Sequence, residues 1–208
     1  MIILLLILAA YLAILLLVVW LSTRPVRIPI FISPGSFGLP QENVEFASKD
    51  ETLLRGWWIQ GDTEKVAVFA HGYLMNRCEL VPLAIDLHRQ GFSCLLFDFR
   101  AHGKSRGRKC SLGWVEREDV ASAAAYARAR VLETSDSKPF VVLIGSSMGA
   151  AASAFALAED PVLADAIVLD SCYSRMRDAV TGWWNFLGGR WLRFLLAPSV
   201  WIAWPLVG

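Results

Sequence analysis

The chain has 208 residues, with 20 lysines and arginines against 19 aspartates and glutamates and a formal charge of +1. That balance lacks the basic excess of a nucleic-acid binder, so no nucleic-acid partner is expected, and a 19% charged fraction excludes a disordered chain. The hydrophobic fraction is 55%, with nine tryptophans. It exceeds the roughly 45–50% of a soluble domain, so part of the chain either meets a membrane or lacks its polar cover.

Ile2 to Leu21 is an unbroken apolar run without charge, about the length that crosses a hydrocarbon core. A cleaved signal would carry a basic start and a small-x-small site. Nothing basic precedes Ile2, and Leu21-Ser22-Thr23-Arg24 offers no such site, so residues 1–21 read as an uncleaved, single-pass anchor. Tyr11 falls inside the span, and Trp20 sits at its end, where interfacial aromatics gather. Arg24 and Arg27 follow, and the positive-inside rule then places the globular part on the cytoplasmic side. Residues 22–41 hold Pro25, Pro29, Pro34 and Pro40 with Gly35 and Gly38, the composition of an extended tether.

Residues 42–208 form the domain. Strand patterns at 43–48 and 54–60 suggest a hairpin. Apolar runs at Val66–Ala70, Cys94–Phe97, Phe140–Ile144 and Ala166–Leu169 alternate with helical patterns over Asn76–Gln90, Val115–Arg130 and Met148–Ala158. Short buried runs alternating with helices indicate an α/β class with a doubly wound, mostly parallel sheet covered on both faces. Cys78, Cys94, Cys110 and Cys172 contain no C-x-x-C pair, and neither a metal nor a cofactor is expected.

Gly145-Ser146-Ser147-Met148-Gly149 is G-x-S-x-G between a buried strand and an Ala-rich helix, the context of a nucleophile elbow. The serine occupies a sharp, strained turn, and glycines two residues either side avoid collision with neighbouring backbone. Ser147 is the candidate nucleophile; the structural alternative is a plain Gly/Ser turn. After the run 66–70 comes His71-Gly72-Tyr73, where the backbone N–H of Tyr73, or alternatively Leu74, would form an oxyanion hole with that of Met148. His71 shapes this loop rather than transferring protons. Asp98-Phe99-Arg100-Ala101-His102-Gly103-Lys104-Ser105 follows the run 94–97. Its Gly103-Lys104-Ser105 mimics a P-loop end, but Asp98 stands where that motif requires glycine.

Together, the HG loop, the D-x-R-x-H-G-x-S segment and G-x-S-x-G resemble the α/β-hydrolase superfamily. The similarity is closest to its serine-aminopeptidase-like and monoacylglycerol-lipase-like branch, which includes membrane-anchored members. The resemblance covers residues 42 to 175. It implies Ser147 as nucleophile and a bracing role for Asp98, Arg100 and His102; Ala101 departs from the branch, which usually has glycine there.

Serine requires a base, and the base an orienting carboxylate. In the resembled fold both follow the nucleophile in the chain. Here His71, His88 and His102 all precede Ser147, and beyond Asp170 there is no histidine or glutamate and one aspartate, Asp178. Asp170 could serve as a variant acid, its structural alternative being a turn residue, and His102 as an unconventional base. Six strands by residue 170, against eight in the resembled fold, lead to the expectation of a C-terminally truncated copy. Residues 175–208 read as a cap-like apolar segment; Trp183–Gly208 holds five tryptophans and only Arg190 and Arg193 as charges. The expected function is a serine hydrolase of a small-molecule or lipid carboxylic ester. A peptidase or thioesterase of the same fold, a non-catalytic remnant or binding module, and a chain whose missing strands another polypeptide supplies are the alternatives; the sequence leaves any protein partner unknown.

Overall fold

The computed structural model describes residues 1–207. Helix α1 (Ile2–Ser22) is followed by strands β1 (Glu42–Ala47), β2 (Leu53–Ile59) and β3 (Lys65–Ala70), then helix α2 (Val81–His88) and strand β4 (Ser93–Asp98). Helix α3 (Glu116–Leu132), strand β5 (Phe140–Ser146), helix α4 (Met148–Glu159) and strand β6 (Ala166–Asp170) complete the alternation, and helices α5 (Met176–Leu196) and α6 (Pro198–Val207) come last. Gly208, the end of the apolar segment, lies outside the described residues.

The six strands form one sheet in the order β1-β2-β4-β3-β5-β6. β1 and β2 are antiparallel, with Val44 opposite Gly56, and β2 is antiparallel to β4. The remaining pairings are parallel. Side chains alternate across a strand, and both faces of β3, β4 and β5 are buried. Val68, Leu95, Phe97 and Leu143 point to the side covered by Val120, Ala123 and Ala127 of α3 and Ala152 of α4. Phe69, Leu96 and Ile144 point to the other, against Val81, Ala84 and Ile85 of α2. The alanines on α3 and α4 leave short side chains at the contact, so helix and sheet approach closely. β6 pairs only with β5 among the described residues, and its Val168 and Leu169 are exposed.

Two segments differ from the sequence reading. The helix expected from Asn76 begins at Val81. The Asn76 carboxamide oxygen accepts the Cys78 N–H at 2.9 Å, and the Arg77 N–H donates to Asp98 at 2.9 Å. These bonds hold residues 76–80 in turns until Pro82 opens the helix. Residues 22–41 contain a 3-10 turn, Pro34–Phe37, and lie against the domain rather than standing off as a spacer. Thr23 accepts the Cys110 N–H through its carbonyl at 2.9 Å, Asn76 donates to the Ile28 carbonyl at 3.0 Å, and the Cys78 thiol to that of Ile32 at 3.0 Å.

α5 is broken at Gly188–Gly189, where Gly189 takes φ +66°. α6 packs against α1, whose buried residues, Leu15 and Val19, lie in its C-terminal half.

Candidate active site

The turn from β5 into α4 puts Ser147 at φ 50°, ψ −109°, a region L-residues occupy only when surrounding structure enforces it. Three contacts enforce it. The Ser147 N–H donates to the Asp170 carbonyl at 2.8 Å. A Cβ on Gly145 would lie 2.5 Å from the Ala150 Cα, and one on Gly149 2.0 Å from the Ala70 carbonyl oxygen. Both glycines are therefore required by the closeness of helix and sheet.

The HG loop faces this turn. A Cβ on Gly72 would stand 3.6 Å from the Ser147 Cβ. The Phe99 N–H donates to His71 Nε2 at 3.0 Å, so the ring proton sits on Nδ1, which donates to the Gly72 carbonyl at 2.8 Å. With both nitrogens engaged and the ring buried, desolvation holds His71 neutral, lowering its pKa to about 3. The N–H groups of Tyr73 and Met148 make no hydrogen bond among the described residues. Met148 opens α4 directly after Ser147, and Tyr73 follows Gly72 in the facing loop, so both N–H groups remain free to donate to a bound group.

The segment after β4 is internally braced. Asp98 is fully buried and takes the Arg77 guanidinium at 2.9 Å and the Lys104 N–H at 2.7 Å. Gly103, at φ +44°, leaves room for that carboxylate, which a Cβ would meet at 2.2 Å. Arg100 pairs with buried Asp119 at 2.6 Å and with Asp50 at 2.8 Å. His102 Nδ1–H donates to the Arg100 carbonyl at 2.9 Å, while its Nε2 is buried without a partner; desolvation lowers the His102 pKa as well. Ser105 Oγ donates to the Asp98 carbonyl at 2.6 Å and accepts the Arg55 N–H. Ala101 takes φ +63°, the left-handed conformation that explains why the resembled branch prefers glycine there.

Residues 66–200 match the family described as alpha/beta hydrolase fold. The chain belongs to that family. Esterase Pf2001 of Pyrococcus furiosus superposes with a TM-score of 0.72 at 26% identity, over 86% of this chain and 69% of that one. The uncharacterized protein YfhR of Escherichia coli O157:H7 is 33% identical over 141 residues, 64% of this chain and 48% of its own length. The uncharacterized membrane protein YNL320W of Saccharomyces cerevisiae is 24% identical over 180 residues, 85% of this chain and 60% of its own. The chain thus spans about half the length of the YfhR relatives it matches.

Within this alpha/beta hydrolase fold, the sequence-derived candidates fall into two groups. Ser147, Met148, Gly72 and Tyr73 converge at the elbow. No histidine among the described residues hydrogen-bonds Ser147. His88 lies at the end of α2, near the Phe92 carbonyl. Asp170 adjoins Ser146 across β5 and β6, but its carboxylate is exposed and accepts the Ser171 hydroxyl at 2.9 Å.

Two residues escape sequence reasoning. Glu79 accepts the Gly72 N–H at 2.6 Å and the Ser146 hydroxyl at 3.0 Å, joining the oxyanion loop to the elbow. Arg27, read from sequence as a flanking charge, donates instead to the carbonyls of His102, Gly103, Ser105 and Gly107 at 2.7–2.9 Å. Nothing local in the sequence marked Glu79 or the partners of Arg27.

An apolar cavity of about 670 Å³ is lined by Leu112, Trp114, Phe155, Met176, Val200 and Trp201, among others. Its wall at Leu112–Gly113 abuts the elbow helix, since a Cβ on Gly113 would lie 3.5 Å from the Met148 carbonyl. Buried Glu116 fixes that wall by accepting the Ser111 hydroxyl at 2.6 Å and the Gly113 N–H at 2.8 Å.

Proposed function

We propose that this protein is a membrane-anchored serine hydrolase of a carboxylic ester, with α1 as a single-pass anchor and Ser147 as nucleophile. One observation carries the reading: Ser147 stands in a strained strand-to-helix turn, opposite a glycine loop and beside two unpaired backbone donors. Ser147 Oγ attacks the acyl carbonyl, the N–H groups of Tyr73 and Met148 hold the oxyanion, and collapse expels the alcohol to leave an acyl-serine that water then cleaves. Glu79 and the bracing of Asp98, Arg100 and His102 position these groups. The apolar cavity suits an acyl group, and the esterase named among the similar structures supports an ester over an amide or thioester. The substrate is then a small-molecule or lipid ester.

The base and its carboxylate come, in this proposal, from outside these 208 residues. That no histidine among the described residues hydrogen-bonds Ser147 favours one rival, a non-catalytic hydrolase-like protein. Turnover of p-nitrophenyl esters by the 208-residue chain is expected to be negligible. The test is the protein extended to the length of its relatives: hydrolysis that Ser147→Ala abolishes supports the proposal. Absence of both hydrolysis and fluorophosphonate labelling in the extended, folded protein would establish the non-catalytic rival.

A further inference from the structure

We propose that α6 and the corner where α5 meets it are seated in the acyl-chain region of the bilayer leaflet next to the domain, alongside α1. The inference rests on α1 being a membrane span and is independent of catalysis.

α1 is covered unevenly. Its first two and a half turns are exposed, whereas Leu15 and Val19 are each only 4% exposed. Tyr11, Leu15 and Val19 recur every four residues and so form one stripe; α6 packs against α1, and the Tyr11 hydroxyl on this stripe reaches Leu195 at the α5–α6 corner. At about 1.5 Å per residue, the stripe from Tyr11 to Ser22 measures about 16 Å, close to half of a roughly 30 Å hydrocarbon core. The arginine of the Arg24–Trp20 cation–π pair, at 5.1 Å, marks the interfacial end. Whatever packs on this half of a span shares its leaflet.

The backbone of the α5–α6 corner is arranged as that environment demands. Helix ends leave carbonyls without intrahelical partners, and lipid offers no water to satisfy them. Here the Tyr11 hydroxyl donates to the Leu195 carbonyl at 2.7 Å, which also satisfies a hydroxyl midway along the span. The Ala197 N–H donates to Arg193 at 2.9 Å, and the buried Ser199 hydroxyl to Leu196 at 2.6 Å. Pro198 opens α6 without an N–H to satisfy. Around this internally bonded corner the exposed side chains are large and apolar: Trp191, Phe194, Leu195 and Trp201. Arg190 and Arg193 line a cleft with Asn185, Phe194 and Ala197 at the edge of this corner, and in the proposed seating their long stems carry the guanidinium groups to the headgroups. α6, with ten residues, is too short to span, so it enters one leaflet only. That position sets Val200 and Trp201, one wall of the apolar cavity, at acyl-chain depth.

The occupant is measured directly by nitroxide accessibility in lipid nanodiscs. The full chain carries Cys172→Ser, since Cys172 is its one exposed cysteine among the described residues. Single labels are placed at Leu8→Cys, Phe194→Cys, Trp201→Cys and Glu133→Cys. Collisions with oxygen report lipid; collisions with a water-soluble nickel chelate report solvent. Glu133, on the domain surface, is expected to favour nickel, and Leu8 to favour oxygen several-fold. Trp201 and Phe194 are expected to match Leu8. Nickel dominance at both would place them in water. Suppression of both collisions would show a polypeptide cover, either a second copy or a further segment. Either result overturns the proposal while leaving the anchor intact. Nickel dominance at Leu8 would remove the anchor reading and this inference with it, without bearing on the hydrolase chemistry.

Discussion

The Tyr73 hydroxyl donates to the Ser22 carbonyl at 2.8 Å, so the candidate oxyanion loop hangs from the last turn of the apolar N-terminal helix. Burial pushes the Tyr73 phenol up to about 12, which keeps it a donor throughout the working range. Tyr73→Phe retains the main-chain N–H and the ring but frees the helix-end carbonyl. A net loss of about 1 kcal/mol is expected, read as a lower midpoint in thermal unfolding in detergent micelles. An unchanged midpoint would mean that the loop is held without this tie.

The buried histidines predict acid sensitivity. The folded pKa of His71 is lowered to about 3 by desolvation, against about 6.5 for an unfolded histidine. Between those values the unfolded chain binds a proton that the folded chain refuses, so stability rises with pH and is lost as pH falls from about 6.5 toward 3. His102 shifts in the same direction and for the same leading cause. Each group contributes a slope of up to about 1.4 kcal/mol per pH unit within its window. His71→Gln should therefore lower stability at pH 7.5, where the ring's two hydrogen bonds count, yet flatten the decline between about pH 6 and pH 4. Denaturant titrations at several pH values check this, and an unchanged slope counts against His71 as a source of it.

The elbow and its setting were legible because their causes are local. A buried run, glycines flanking Ser147 and an alanine-rich start to α4 are all contiguous, and they have one low-energy arrangement. The HG loop and the order of elements were legible for the same reason. Ala101 was noticed only as a departure, whereas its φ of +63° supplies the physical reason. Glu79 and Arg27 were not legible. Glu79 acts on Ser146, 67 residues away, and Arg27 on carbonyls 75 to 80 residues away. Backbone carbonyls carry no residue signature, so a sequence cannot announce that four of them converge on one guanidinium. The proline-rich composition of residues 22–41 said nothing of where that segment lies.

Arg27 provides the sharpest test of that docked path. Its four hydrogen bonds close the turn from His102 to Gly107, the same turn that Asp98 braces from within. Bonds to a charged donor are worth about 1.5–3 kcal/mol each where unscreened, but two of these are exposed and the side chain must be ordered. Arg27→Ala is expected to cost on the order of 2 kcal/mol. Hydrogen exchange should speed up at residues 101–107 while β5 and α4 remain protected. Uniform loss of protection would indicate a general defect; no change at 101–107 would refute the clamp. Arg27→Lys should restore only part of the protection, because an ammonium cannot present the planar fork that these carbonyls share.

Three glycines around Ser147 separate a requirement of the fold from a requirement of the site. A methyl at Gly149 would stand 2.0 Å from the Ala70 carbonyl oxygen, and one at Gly145 2.5 Å from the Ala150 backbone. Both obstacles are main chain and cannot yield without parting helix from sheet. Gly149→Ala and Gly145→Ala should therefore fall at or beyond the upper end of the roughly 1–3 kcal/mol seen when cores are overpacked. At Gly72 a methyl would meet Glu79 at 3.4 Å and the Ser147 Cβ at 3.6 Å, ordinary contact distances. Gly72→Ala should leave stability within about 0.5 kcal/mol, and its methyl would occupy the space between loop and nucleophile. In the protein extended to the length of its relatives, it should slow fluorophosphonate labelling at Ser147 without lowering the unfolding midpoint. Labelling at the parent rate would mean that the acyl group approaches Ser147 from another side, and the assignment of Tyr73 as an oxyanion donor would fall.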